Sequence, residues 1–136
     1  MTKAKKFSKF EYDKAPDIKA RALKLIEELH LDYLLGDRLF FYRSTGSKAR
    51  AYARTWGLPK IFQNALDIEP AYVIEVISGY FDKLSTRDQD KVLLHEISHI
   101  PKNFSGALVP HTHRRKGSFK DKLEILIDRY SENNKL

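Results

Sequence analysis

The sequence predicts an α+β domain, and three observations carry that reading. Apolar residues recur at helical spacing near both ends of the chain, β-branched or alternating runs lie between them, and a capping signal opens another helix in the second half. At 136 residues, 42% of them hydrophobic, the chain suits one domain with one core.

Residues 1–14 are polar and basic and read as a flexible arm, leaving 15–136 as the single domain. Pro16 fits the first turn of a helix and Asp17 favours its N-terminus. Ile18, Ala22, Leu25, Ile26 and Leu29 then share one face, with Lys19, Arg21, Lys24, Glu27 and Glu28 opposite, so the helix should end near Leu29 or Leu31. Gly36-Asp37 breaks the pattern. Leu39–Tyr42 reads as a buried strand and Ser44–Ser47 as a turn. From Arg50 to Trp56, Arg50, Tyr52, Arg54 and Trp56 alternate with Ala51, Ala53 and Thr55, which is a strand pattern. Gly57 and Pro59 interrupt it, and Ile61–Leu66 should continue it as a bent or second strand. Ala71–Ile77, rich in β-branched residues, is the clearest strand.

Thr86 as cap with Gln89 three residues on forms a capping box, so a helix begins there, runs through Leu93, Leu94 and Ile97, and stops before Pro101. A loop spans 101–117. Ser118 can cap a last helix with Phe119, Leu123, Leu126, Ile127 and Tyr130 as its buried stripe. The expected architecture is an N-terminal helix, a small mixed or antiparallel sheet of about three strands, a motif-bearing helix and a C-terminal helix.

The chain has no cysteine, which excludes disulfides and thiolate metal sites and leaves His, Asp and Glu as ligands. No apolar run approaches a membrane span and no signal peptide is read at the N-terminus, so no membrane partner is expected and cytoplasm is the default. The net charge is +7, with Lys3, Lys5, Lys6 and Lys9 in one cluster and Arg114, Arg115 and Lys116 in another. Such clusters suit a nucleic-acid backbone, although a solvated surface explains them more simply.

Residues 95–99 read His-Glu-Ile-Ser-His. Four residues apart on a helix, His95 and His99 project from one face and can reach one Zn²⁺ at about 2.0–2.1 Å. Glu96 sits beside them, where a carboxylate can serve as general base to a metal-activated water and then as acid to the leaving amine. A third protein ligand is required. The downstream candidates are His111, His113, Glu124 and Asp128. His111 is favoured because Pro110 preorganises it, and His113 is the alternative, with only one of the two expected to bind. The bland reading of Glu124, the exposed side of a helix, outranks ligation. Tyr130, Tyr80 and Arg114 could stabilise an oxyanion, with core packing the better reading of both tyrosines, and Trp56 reads as a packing residue. An exposed strand edge, from Arg50–Trp56 or Ile61–Leu66, could bind an extended peptide.

The expected function is therefore zinc-dependent hydrolysis of peptide bonds in a protein or peptide substrate, with a basic nucleic-acid-associated protein carrying a structural or vestigial zinc as the alternative. The stretch from Leu94 to His111, with H-E-x-x-H-I-P, a Phe/Ser/Gly loop and Pro110-His111, resembles a phage and archaeal family of H-E-x-x-H metallopeptidases. The likeness extends from about Arg38 to Tyr130. It implies a minimal zincin-like fold, one zinc ion, ligand roles for His95 and His99, a base role for Glu96, and a third ligand from Pro110–His113. More distantly, the arrangement is similar to SprT-like proteases, which act on DNA-bound proteins.

Overall fold

Pro16 opens α1 (Pro16–Glu28) because its ring fixes a helical φ and its missing N–H has no partner to lose at that position. A computed structural model describes residues 9–111 and 119–134 of the chain. Ile18, Ala22, Leu25 and Ile26 are the buried face of α1, and His30, at φ 56°, turns the chain out of it. A 3-10 turn (Gly36–Arg38) leads into β2 (Leu39–Thr45), which alternates: Leu39 and Phe41 face the core while Phe40 is exposed. The expected continuous burial of Leu39–Tyr42 thus gives way to a half-buried sheet face, and the strand runs on through two residues assigned to the following turn.

Two further expectations are corrected. Residues 11–14, assigned to the flexible arm, form β1 (Glu11–Lys14), which pairs antiparallel with β2 through its backbone although all four residues are exposed. Ile61–Leu66, expected as strand, lies in α2 (Lys60–Leu66) after Pro59. Ile61, Phe62 and Leu66 remain exposed there, so their apolar character reflects no buried stripe.

Among the described residues the sheet has four strands in the order β1-β2-β4-β3, with β3 at Ala53–Gly57 and β4 at Tyr72–Ile77. β2 and β4 are parallel, while β1 with β2 and β3 with β4 are antiparallel. The sheet is therefore mixed, and β3 is one of its edges. A short helix α3 (Ser78–Phe81) follows β4 and sends buried Phe81 into the core.

α4 (Thr86–Ile97) is capped by Ser85, not Thr86: the Ser85 hydroxyl accepts from the Asp88 amide at 3.1 Å. Gln89, expected to close a capping box, reaches the Phe81 carbonyl instead, at 3.0 Å. Leu93, Leu94 and Ile97 are fully buried and set the orientation of α4. Arg21 on α1 donates to Gln89 Oε1 at 2.6 Å and to Asp90 Oδ1 at 2.7 Å, holding the two helices together. α5 (Phe119–Asn133) closes the core with Phe119, Leu126 and Tyr130, flanked by half-buried Leu123 and Ile127. The expected cap Ser118 lies outside the described residues, as does the whole basic cluster from Arg114 to Lys116. No helix among the described residues is long and apolar enough to cross a membrane.

Candidate metal centre and cleft

His95 and His99 face the same side of α4, as their spacing dictates, with ring centroids 5.2 Å apart. The loop after α4 returns His111 to them, and its Nε2 lies 3.0 Å from His95 Nε2. At that separation the two nitrogens share at most one proton, so at least one presents a lone pair. His99 Nδ1 lies 2.7 Å from the Val109 carbonyl, an acceptor only, so Nδ1 carries the hydrogen and Nε2 is left as a bare donor atom. The three rings bring one ligand nitrogen each to within 4.8 Å of one another, close enough to face a single ion.

Several contacts build this geometry. The Val109 amide also donates to the His99 carbonyl at 2.7 Å, so residues 99 and 109 are clamped in both directions. Upstream, the Tyr72 hydroxyl donates to the Ala107 carbonyl and accepts from the Gly106 amide, each at 2.7 Å. Gln63 Nε2 donates to the carbonyls of Leu58 and Ser105. Gly106 has φ +98°, and a Cβ there would fall on the Leu58 carbonyl and the Gln63 amide. A Cβ on Gly57 would in turn meet the Gly106 carbonyl, so the strand edge and the loop touch backbone to backbone. Phe119 stacks flat on His99, with centroids 4.4 Å apart and planes 18° apart, and meets His95 and His111 edge-on.

Burial favours the neutral form of His95 and His99. His95 is pushed down to about 4 by burial first and by its neighbours His99 and His111 next. His99 is lowered chiefly by burial, against the bond to Val109, which favours its charged form. Neutral imidazole is the form that ligates a metal. The donor set, the fixed tautomer of His99 and the neutral state therefore all fit a divalent cation of the zinc type.

Glu96 is 6% exposed and its Oε2 lies 4.0 Å from His95 Nε2, beside the three nitrogens but not among them. Thr55 on β3 donates to its Oε1 at 2.8 Å. Burial raises the Glu96 carboxyl above the usual range, opposed by the Thr55 bond and by His111. A cleft of about 640 Å³ opens over the three histidines and Glu96, walled by β3 from Ala53 to Thr55 and by Leu123 and Ile127 of α5.

The structure gathers His95, Glu96, His99 and His111. His113 and Arg114 lie outside the described residues. Glu124 and Asp128 are exposed on α5 and take no part in the cluster. Tyr130 does not line the cleft: its hydroxyl donates to Asp90 Oδ2 at 2.9 Å, and burial pushes it up to about 12. Tyr80 is exposed on α3. Trp56, read as packing, is half-exposed on the outer sheet face and donates to Glu75 at 2.8 Å. Sequence reasoning singled out neither Thr55 nor Tyr72, and it saw Phe119 only as core; each acts through a partner more than 15 residues away, which no local pattern reveals.

Three imidazoles thus gather beside a buried carboxylate, on the floor of a cleft that a sheet edge borders. Residues 10–124 match the family model described as "Putative phage metallopeptidase", and the chain belongs to that family. Comparison with curated proteins and with solved structures finds no match.

Proposed function

We propose that this protein is a zinc-dependent peptidase in which His95, His99 and His111 hold the metal and Glu96 is the general base. The observation that carries the reading is that, among the described residues, three histidines converge beside a cleft and no fourth protein ligand joins them, the pattern of a catalytic site. A structural site would fill all four positions with protein, which disfavours the nucleic-acid protein with a structural zinc. When bound, the metal supplies Lewis acidity, bringing the pKa of a water toward ~7 and polarising the scissile carbonyl.

The chain's own residues do the rest. Glu96, ionised and held by Thr55, takes a proton from the attacking water and returns it to the leaving nitrogen. Its raised pKa suits both halves of that transfer. Of the two segments considered as a peptide-binding edge, α2 is helical, which leaves β3. An extended substrate pairing with β3 would lie across the cleft with its carbonyl near Glu96.

Metal analysis of the purified protein with His111→Ala and His113→Ala tests the ligand set. His111→Ala should lose zinc and His113→Ala retain it; the reverse pattern transfers the role to His113, and zinc absent from the parent protein ends the proposal. Glu96→Gln should keep zinc while hydrolysis of casein falls about 10²–10⁴-fold, the usual worth of a general base.

A further inference from the structure

A second recess, of about 440 Å³, lies on the other side of α5 from the cleft. Its walls come from three places: the turn after α1 (His30 to Tyr33), Lys102 just beyond α4, and Lys122 with Arg129 on α5. Lys122 and Arg129 are seven residues apart, so they project from one face of the helix, two turns apart. Leu123 and Ile127 take the face that lines the peptidase cleft.

Three cations therefore meet in one recess. Among the described residues none of Lys102, Lys122 and Arg129 forms an ion pair, whereas Arg21, Arg43 and Arg54 each hold a carboxylate. Asp32, the carboxylate lining the recess, is exposed and pairs with none of them, while Glu28 and Glu132 border Arg129 from the adjoining recess. Lys102 and Arg129 are exposed and Lys122 is half-buried, and gathering like charges around one concavity is unfavourable unless something answers them. The strain is visible at Lys122, whose pKa is lowered by burial and by Lys102.

Donors are also left over. The Lys122 amine uses one N–H on the Ile100 carbonyl at 3.2 Å and has three to give. The Arg129 guanidinium uses one on the Leu29 carbonyl at 3.2 Å and has five. The Tyr33 ring lies beneath the Lys122 amine at 5.7 Å, and its buried hydroxyl takes no hydrogen-bond partner. Spare N–H donors and three cations without an ion pair around one concavity match a group with several anionic oxygens, and a carboxylate would leave more of them unused.

We propose that this recess, formed by Lys102, Lys122 and Arg129, binds a phosphate group. The group comes either as free phosphate or as a phosphodiester of a nucleic-acid strand. Both present the same oxygens, and the site needs no metal. It stands apart from the peptidase reading and holds or fails independently of it.

The full-length chain, titrated calorimetrically with inorganic phosphate and by fluorescence anisotropy with a labelled single-stranded DNA oligonucleotide, tests this. Lys102→Gln and Arg129→Gln should each weaken binding about tenfold, the worth of one charge-assisted contact, while Lys83→Gln on the α3–α4 turn leaves it unchanged. Arg129→Lys should recover part of the loss. Lys122 also caps Ile100, so the other two cations carry the test and thermal unfolding verifies that each variant is folded. Saturation by phosphate alone identifies the free anion as ligand. Binding of the oligonucleotide alone, with the same sensitivity to the variants, identifies the phosphodiester. Failure of both probes to bind, or binding that Lys102→Gln and Arg129→Gln do not move, overturns the proposal.

Discussion

Thr55 Oγ1 lies 2.8 Å from Glu96 Oε1, so the edge strand β3 and the motif-bearing helix α4 meet at the carboxylate that lines the cleft. Because the hydroxyl donates, it favours the ionised carboxylate and partly offsets the burial that raises its pKa. Thr55→Val removes that donor while keeping the shape. Glu96 must be ionised to accept a proton, and activity falls as pH drops through its pKa. The acid limb of the kcat/KM profile should therefore move to higher pH in Thr55→Val, with zinc content unchanged. An unmoved limb would show that Thr55 does not tune Glu96.

The metal-free protein should lose stability as pH falls from 6.5 toward about 4. His95 carries a pKa of 6.5 when unfolded and about 4 when folded, so in that window the unfolded chain binds the extra proton and is favoured. Stability is fully present above 6.5 and lost through the window. Urea midpoints of the metal-free chain at several pH values measure this, and His95→Gln should flatten the slope.

Much of the site was legible in the sequence because helical periodicity alone aligns His95 with His99 and puts Glu96 beside them. The return of His111 was suggested by Pro110 and by family likeness, but its supports were not. Tyr72, Gln63 and Gly57 hold the loop from 34 to 49 residues away in the chain, and no local pattern encodes such contacts. β1 was missed because it is an edge strand of exposed residues whose pairing is all backbone. α2 misled for the opposite reason, since its apolar residues are exposed and show no helical stripe.

Gly106→Ala should act on the metal without touching a ligand. The added methyl meets the Leu58 carbonyl and the Gln63 amide at a φ of +98°, so the loop must shift. We expect a loss of about 1–3 kcal/mol in stability, seen as a lower urea midpoint, together with weaker zinc binding. Zinc affinity equal to the parent's would mean that the loop is not what positions His111.

Phe119→Leu keeps an apolar side chain but loses the flat contact with His99. Groups that orient ligand rings typically contribute 10–100-fold to metal affinity, and a loss in that range is expected in competition with a chromophoric chelator. Folding should be affected less, since the substitution leaves much of the buried volume filled.

The two edges of the sheet differ in a way that bears on how the protein survives in a crowded solution. β1, at one margin, is four residues long, and Glu11, Asp13 and Lys14 stud it with charge, features that discourage a foreign strand from adding there. β3, at the other, borders the cleft, where its neighbour on the open side is space sized for a guest. A sheet receptive at only one margin cannot propagate by stacking copies of itself, so it can welcome an extended chain without seeding fibres.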